Sequence, residues 1–288
     1  MIKTINPKEI SQPELHSILL TAVAPRPICF ASTIDKAGNV NLSPFSYFNV
    51  FSSNPPILVF SPARSGRDNS LKHSHQNVKA VPEVCINIVN YDMAEQMSLS
   101  STAYEKGVNE FIKAGFTQVT NKIIKPPRVG EAPVSFECTV TEIIELANTP
   151  GAGNLILCKV ELIHINEKYF SDNKLDTKKL DLIGRMGGSW YTRSNGNSLF
   201  EIPKPIRTKG IGVDALPEVI RESTILTGNN LGRLGNLESL PSSIEINDAK
   251  KLLKTESITK IEDQQQLAKE VLEAGDTKRA LAILLINA

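Results

Sequence analysis

Alternation of apolar and polar positions dominates the first two thirds of this chain and predicts β-strands rather than long helices. Strand patterns cover residues 28–34, 40–51, 57–60, 83–89, 134–146 and 155–165. Turn chemistry joins two pairs of these strands into hairpins, through residues 35–39 and through residues 148–154. Because few long helices separate the strands, the pattern favours a closed or nearly closed antiparallel barrel over a doubly wound parallel sheet.

Helical spacing of apolar residues lies at the margins of this strand-rich region. It covers residues 12–20 and, in pieces, residues 91–116. The last part of the chain carries further helical patterns around Leu252, at 267–272 and at 279–286. We therefore predict a mainly β fold with peripheral helices and a C-terminal helical extension.

A change of character begins at Pro203-Lys204-Pro205 and suggests two domains, a barrel over residues 1–209 and an extension over residues 210–288. The glycines of the extension do not form the dinucleotide-binding fingerprint and follow no convincing strand. Its short helices need packing to persist. We expect their apolar faces to pack on the barrel or on a partner subunit.

The overall composition excludes several classes of partner. The 288 residues carry a formal charge of +1, which gives no electrostatic case for binding nucleic acid or an anionic membrane. The amino terminus lacks the apolar core of a signal peptide, and no apolar run approaches the length that spans a membrane. The sequence therefore predicts a cytoplasmic protein whose function depends on local sites.

Cysteine and histidine spacing does not suggest a metal site. The four cysteines are widely separated within apolar or alternating runs, which is typical of buried thiols in a reducing compartment; they are Cys29, Cys85, Cys138 and Cys158. His73 and His75 are two residues apart and would point in different directions on a helix. His164, on a strand of alternating pattern, is interpreted as structural.

The stretch 41–49 is the most unusual part of the strand pattern. Pro44 cannot donate to a sheet ladder, so it predicts a bulge or a sheet edge. Hydrogen-bonding side chains alternate there with flat apolar ones, namely Ser43, Ser46 and Asn49 with Phe45 and Phe48. Such a combination suits a planar polar ligand. The alternative is a strand pair with an edge proline and polar side chains that face water.

The loop at 61–70 is the most polar segment of the first half and precedes a short predicted helix. It contains Ser61, Arg64, Ser65, Gly66, Arg67, Asp68, Asn69 and Ser70. Two guanidinium groups beside hydroxyls and a helix N-terminus suit a phosphate. The alternative is a solvated surface loop.

Later in the chain, Trp190 and Tyr191 follow a glycine pair. They could pack in the core, or they could form the lip of a ligand or subunit site.

In this order, several segments together resemble the flavin reductase-like family of FMN-binding split-barrel proteins, of the flavoredoxin kind. The matching pieces are 25–28, Ser32-Thr33, 41–46, Pro55-Pro56, 67–70, 109–111 with 114–116, and 184–188 with Tyr191. They span roughly residues 25 to 191. The resemblance implies an antiparallel Greek-key split β-barrel that forms a homodimer and holds FMN near the dimer interface.

The same resemblance implies a set of cofactor-binding residues. Along the isoalloxazine it places Ser32, Thr33, Asn41, Ser43, Pro44, Phe45 and Ser46. At the phosphate end it places Ser61 and the loop with Arg67, Asp68 and Ser70, where the family commonly shows Lys-Asp-Thr and this chain has Arg67-Asp68-Asn69-Ser70. Arg26 and Tyr191, from the remaining matching pieces, complete the set.

A flavin would carry the redox chemistry itself, so no catalytic side chain is assigned. The resemblance implies an oxidoreductase in which NADPH or NADH reduces FMN and the reduced flavin serves an acceptor or a partner oxygenase. Two alternatives stay open at this point. One is an electron carrier that exchanges electrons with a protein partner, and the other is a barrel without a cofactor that acts as an interaction module.

Overall fold

The computed structural model describes residues 1–202, 208–255 and 258–287, which form two compact units, Met1–Phe200 and Glu201–Ala288. Pro203-Lys204-Pro205, where the sequence changes character, lies outside the described residues. The predicted domain boundary after residue 209 stays a prediction.

The first unit is built on a seven-stranded sheet in which every pairing is antiparallel. The strand order is β3-β2-β6-β9-β10-β5-β4, and three small sheets flank it, β1-β13-β14, β7-β8 and β11-β12. The strands are β1 Arg26–Pro27, β2 Cys29–Ile34, β3 Val40–Phe45, β4 Phe48–Ser53, β5 Pro56–Phe60, β6 Glu83–Ile88, β7 Gln118–Val119, β8 Arg128–Val129, β9 Val134–Glu145, β10 Asn154–Ile165, β11 Phe170–Ser171, β12 Lys174–Leu175, β13 Ile183–Arg185 and β14 Tyr191–Arg193.

The sheet is curved into a barrel that stays open along one seam. Strands β3 and β4 lie at opposite edges of the sheet, yet only Ser46 and Tyr47 connect them. So short a connection requires the two edges to approach each other. The rings of Phe45 on β3 and Phe60 on β5 lie 5.1 Å apart between centroids and pack across this seam. The first unit therefore has the split-barrel fold, which confirms the fold class expected from the resemblance.

Two hairpins confirm the turn predictions, and one strand prediction is corrected. Strands β2 and β3 pair through the turn at 35–39, where the Asp35 carboxylate accepts the N–H groups of Ala37 and Asn39. Strands β9 and β10 form the long hairpin. The single run predicted over residues 40–51 is two strands, because the chain leaves one sheet edge at Phe45 and enters the other at Phe48.

Short helices cover the barrel of the first unit. They are α1 Gln12–Ala22, α2 His73–Ala80, α3 Ala94–Ser100, α4 Glu110–Ala114 and α5 Thr177–Leu180. Pro13 lies in the first turn of α1, where the missing N–H of proline is tolerated. Helix α4 begins after the Asn109 side chain caps it and ends at Gly115, whose φ of 73° places it in the left-handed region that glycine favours.

Three apolar clusters fill the first unit, and the two largest lie on the two faces of the sheet. One joins β2 and β3 to α3 and α4 and includes Phe30, Leu42 and Phe111. The other contains Phe60 and three of the four cysteines. All four cysteines are buried free thiols, as predicted. Burial raises the pKa of Cys85 to about 12, so this thiol is not a nucleophile at neutral pH.

The second unit is helical and has a core of its own. Its helices are α6 Glu218–Arg221, α7 Gly228–Gly235, α8 Ser243–Thr255, α9 Ile261–Glu273 and α10 Thr277–Leu284. Their apolar faces bury one another, with Leu234, Leu272 and Leu281 fully enclosed. This packing differs from the expectation that the barrel or a partner subunit fills their apolar faces. None of the described helices is both long and apolar enough to cross a membrane.

Candidate functional site

The outer edge of β3 carries backbone groups that have no partner strand. Leu42 pairs in register with Ser32 of β2, but its N–H donates away from the sheet, to Oε2 of Glu110 at 2.8 Å. Since backbone groups alternate in direction along a strand, Pro44 has its amide nitrogen on the same outer side. The missing N–H of Pro44 therefore costs no ladder bond. This confirms the sequence prediction that Pro44 marks a sheet edge.

A cleft of about 220 Å³ runs beside this edge. Its walls are Asn41 and residues 43–45 of β3, residues 70–73 at the start of α2, residues 101–104 between α3 and α4, and Glu110 of α4. The cleft thus combines strand backbone, a helix N-terminus and several hydroxyl side chains. This mixture of flat aromatic rings, Phe45 and Tyr104, with convergent polar groups is typical of a small-molecule site.

The α2 end of the cleft is suited to an anion. Helix α2 begins at His73, and its N-cap residue, Lys72, makes no side-chain capping hydrogen bond. The N–H groups of the first turn are therefore not capped by a side chain, and the helix dipole favours negative charge at this point. Lys72 and Ser70 add an ammonium and a hydroxyl to the same wall. A phosphate would find complementary charge and donors here.

Glu110 contributes a buried carboxyl group to the opposite wall. Its side chain is held by α4, whose next residue, Phe111, is fully buried in the core with Leu42. Burial raises the pKa of Glu110, while the Leu42 N–H and the positive charge of His73 act in the opposite direction. The sequence analysis did not select Glu110 as a site residue. Its only signal there was its place in the 109–111 segment of the family resemblance.

Two of the residues expected to contact the isoalloxazine, Thr33 and Asn41, join the strands to α2, and a third, Ser32, does not. Thr33 is fully buried, and its Oγ1 accepts a hydrogen bond from Asn77 of α2 at 3.1 Å. Asn41 donates to Ser74 Oγ at 3.0 Å while it also lines the cleft. Ser32 is fully buried, and its Oγ has no hydrogen-bond partner among the described residues. Thr33 and Asn41 therefore fix the position of α2 beside β3.

Arg26 is buried, and four oxygen atoms accept its hydrogen bonds outside the cleft. Its Nη1 donates to the carbonyl oxygens of Leu20 at 2.5 Å and Val23 at 2.7 Å, at the end of α1. The Nη2 atom donates to the Met186 carbonyl at 3.2 Å, and Nε contacts Ser46 Oγ at 3.4 Å. Burial lowers its pKa. The structure therefore places Arg26 and Ser46 together, at the junction of α1 with the turn between β3 and β4.

The predicted phosphate loop divides into an anchored part and a free part. Ser61 Oγ accepts the Asn154 N–H at 3.1 Å, and Arg64 binds Glu145 at 3.2 Å. Arg67 is exposed and forms no hydrogen bond or ion pair through its side chain with any residue the structure describes. Asp68 is exposed, and hydrogen bonds from the Ser65 and Ser70 hydroxyls lower its pKa to about 2.

Among those loop residues, Ser70 reaches the cleft, whereas Ser61, Arg67 and Asp68 lie outside its lining. From the β3 set, the structure brings Asn41, Ser43, Pro44 and Phe45 to the cleft. It does not bring Arg26, Ser32, Thr33, Ser46 or Tyr191 there. The cleft also uses Lys72, His73 and residues 101–104, which the sequence analysis did not select. Their signal was weak, since hydroxyl and basic side chains in loops usually face water.

The two histidines after the loop point in different directions, as predicted for a helix. His73 lines the cleft. His75 is fully buried, and its Nε2 lies 3.5 Å from Glu145 Oε1. Burial lowers the pKa of His75, although Glu145 opposes this shift. His164 binds Glu137, which also accepts three backbone N–H groups, an arrangement consistent with the structural role assigned to it.

Trp190 and Tyr191 are exposed rather than packed in the core. Trp190 has 78% of its surface accessible, and the Arg185 guanidinium lies 4.5 Å from the ring centroid of Tyr191. The core-packing interpretation of this aromatic pair is therefore wrong. Both residues lie outside the cleft lining.

Comparison with known proteins identifies the family to which this architecture belongs. The profile of the flavin reductase like domain matches residues 22–178, more than half of the chain. This chain belongs to the flavin reductase-like family. A protein of Aquifex aeolicus whose function is uncharacterised is 35% identical over 196 residues, which cover 68% of this chain and 97% of that relative.

Solved structures of flavin-related proteins share the fold. Nitrilotriacetate monooxygenase component B from Bacillus cereus superimposes with a TM-score of 0.66 at 25% identity, over 70% of this chain and 99% of that one. A flavoredoxin of Desulfovibrio vulgaris matches with a TM-score of 0.53 at 16% identity, over 72% and 98% of the two chains. The flavin reductase-like chain described here is accordingly a flavin-related oxidoreductase. Residues 201–288 lie outside the family match.

The residues of the cleft fit a flavin. Along β3, the C=O groups of Leu42 and Pro44 face away from β2 and offer acceptors at the sheet edge, and Phe45 offers a flat apolar surface. At the other end, Lys72 and the start of α2 offer positive charge and donors. A flavin needs these features, namely apolar contact for its ring and polar partners for its pyrimidine edge.

Proposed function

We propose that this protein is an FMN-dependent reductase that accepts electrons from NADPH or NADH and passes them through FMN held in the cleft beside β3. The observation that carries the proposal is the juxtaposition of a sheet edge with the uncapped start of α2. One end of the cleft suits the ring system and the other suits a phosphate. FMN has both of these parts.

The β3 residues would orient the ring. The Leu42 and Pro44 carbonyls can accept hydrogen bonds from the N–H of a pyrimidine edge, because no strand occupies that side of β3. Ser43 and Asn41 add short polar side chains, and Phe45 supplies apolar contact. All of these groups lie on a strand fixed by the sheet, so the ring would meet a rigid surface.

The phosphate would lie at the start of α2, with Lys72 as its side-chain partner. The backbone N–H groups at the start of α2 would donate further hydrogen bonds to the phosphate. Arg67 is a weaker candidate than the sequence suggested, because its guanidinium does not line the cleft. The cation proposed to bind the phosphate is therefore Lys72 at the N-cap of α2, and not Arg67 in the loop.

When bound, FMN supplies the hydride and electron transfer chemistry of the reaction. The residues of this chain bind the cofactor, orient it against the edge of β3 and keep water from the buried side of the cleft. None of them is assigned as an acid, base or nucleophile in the transfer itself. The acceptor, whether a small molecule or a protein, must approach from the open side of the cleft.

We also propose that the functional form is a homodimer. Helix α1 has no buried side chain, and Leu19 and Val23 at its end are exposed apolar residues. On β4, Val50 and Phe51 are 61% and 70% exposed. Exposed apolar residues on an edge strand favour a protein partner. The partner we propose is a second copy of this chain, as the family resemblance implies.

The direct test is the visible absorption spectrum of the purified protein after incubation with FMN, before and after anaerobic addition of NADPH or NADH. We expect flavin bands that bleach with one or both nucleotides. Bands that stay unchanged with both nucleotides would exclude the reductase and favour an electron carrier. The absence of bound FMN at any concentration up to the millimolar range would exclude both and leave an interaction module.

A further inference from the structure

Glu110 is an unusual group to find in the wall of a flavin site. It is the first residue of α4, with 4% of its surface accessible, and its Oε2 accepts the Leu42 N–H at 2.8 Å. Carboxyl side chains are seldom buried to this extent unless they are paired. Here the partner is the outer edge of β3, the same edge along which the ring of FMN would lie.

The position of this carboxyl group is fixed from both sides. On α4, the adjacent Phe111 is fully buried and packs in one cluster with Leu42. On β3, the neighbouring residues Asn41 and Ser43 line the cleft together with Glu110. A change at Glu110 therefore reaches the flavin surface through Leu42, without a loop or a flexible segment between them.

The surroundings of Glu110 disfavour its charged form, although several charged and titratable groups lie near it. From α2, Lys72 and His73 face the same cleft, and from the loop before α4 so does Tyr104. Strand β3 carries no charged residue. Glu95 of α3 is exposed and lies outside the cleft lining. Burial disfavours the carboxylate and raises the pKa of Glu110, and the His73 charge partly opposes this shift.

We propose that Glu110 is a positioning residue that makes flavin binding at the edge of β3 dependent on pH. This inference rests on the proposed function, since it concerns how the same cleft holds FMN. In its neutral form Glu110 adds no charge beside the anionic cofactor. As the pH rises and Glu110 loses its proton, the cleft gains a negative charge, and FMN binding weakens.

The test compares FMN binding by the wild type and by Glu110→Gln between about pH 5 and pH 8.5. Glutamine keeps an oxygen that can accept the Leu42 N–H but cannot ionise. Titration of the FMN phosphate affects binding to both proteins equally, so its effect cancels in the ratio of the two dissociation constants. We expect equal binding at low pH and about tenfold weaker binding by the wild type at high pH, the effect of about one pKa unit.

Riboflavin, which lacks the phosphate, shows which part of the cofactor responds to Glu110. We expect a smaller pH dependence with riboflavin than with FMN, because ionised Glu110 does not repel a neutral ligand. An equally strong dependence with riboflavin would overturn charge repulsion by Glu110 as the cause.

A second variant keeps the test informative if Glu110→Gln does not fold, which urea unfolding would reveal. His73→Gln removes a positive charge that favours ionised Glu110, so the pH at which FMN binding weakens should rise. An unchanged midpoint in His73→Gln, or parallel pH profiles in the wild type and Glu110→Gln, would overturn the inference while FMN binding stands. Failure of the wild type to bind FMN at any pH would overturn the proposed function itself.

Discussion

At one edge of the seven-stranded sheet, β3 meets polar groups of its own chain, whereas at the other edge β4 presents apolar side chains to its surroundings. The outward N–H of Leu42 is bound by Glu110, and Pro44 has no N–H to offer. On β4, Val50 and Phe51 are mostly exposed, and a register shift lies between Val50 and Ser52. A proline with a covering carboxylate protects the first edge, and a bulge interrupts the second.

One short stretch of chain therefore builds two kinds of surface. Residues 41–45 form an edge suited to a planar polar ligand, and residues 48–51 form an edge suited to an apolar protein surface. Ser46 and Tyr47 connect them, and Arg26 binds Ser46 at this junction. A cofactor at the first edge and a second subunit at the second would therefore lie close together.

The largest expected effect is a loss of stability when the packing at the seam between the two edges is disrupted. Phe60 is fully buried, pairs with Phe48 of β4, and packs its ring 5.1 Å from that of Phe45 on β3. Phe60→Ala should lower the free energy of unfolding by about 3–5 kcal/mol, since it leaves a cavity where both edges meet. Urea unfolding followed by tryptophan fluorescence and circular dichroism measures this loss.

The matched control for this variant is Phe51→Ala, an aromatic truncation on the exposed face of β4. It should change the stability of the isolated subunit by less than about 1 kcal/mol, measured at a protein concentration where the subunits are dissociated. Equal losses in the two variants would show that the seam does not depend on Phe60.

A substitution at the β4 edge should have an intermediate effect, on the affinity of dimerisation. If a second copy of this chain covers Val50 and Phe51, Phe51→Arg buries an unpaired charge in the interface and should weaken dimerisation by about thirtyfold, the effect of about 2 kcal/mol. Sedimentation velocity over a range of concentrations measures this change. Leu175→Arg, at an exposed apolar position of β12, provides the control and should leave the dimer intact. A monomeric wild type would contradict the proposed homodimer.

The strand pattern predicted most of the barrel because its physical causes are local. Alternation, turn residues and the proline rule identified the β2–β3 and β9–β10 hairpins and the edge at Pro44. The break between β3 and β4 was not predictable in this way. Phe45 and Phe48 both pack in the same cluster, so the apolar pattern continues across the turn although the chain changes edges.

The functional site was predicted less completely, because its contacts join distant parts of the chain. Glu110 meets Leu42 across 68 residues, and an acidic residue in the first turn of a helix is usually explained by the helix dipole alone. Arg26 had a local signal that was missed. It follows α1 closely, and arginines near a helix C-terminus commonly bind its last carbonyl groups, as Arg26 does with Leu20 and Val23.

The smallest expected effect is on FMN binding, and it distinguishes the contributions of two cations, Lys72 and Arg67. Lys72 lines the cleft at the start of α2, whereas Arg67 is exposed outside the lining. If the FMN phosphate lies at the α2 N-terminus, Lys72→Met should weaken FMN binding by about tenfold, within the range of one charge-assisted hydrogen bond. Arg67→Met should weaken it by less than about twofold, because only long-range attraction is lost.

Fluorescence titration of FMN into both variants, repeated with riboflavin, distinguishes the phosphate end from the ring end. The Lys72 variant and the wild type should bind riboflavin equally, since that ligand has no phosphate to lose. A larger loss in Arg67→Met than in Lys72→Met would return the phosphate to the loop that the sequence first suggested. It would also require the loop that carries Arg67 to move towards the cleft when FMN binds, because Arg67 lies outside the cleft lining in the structure.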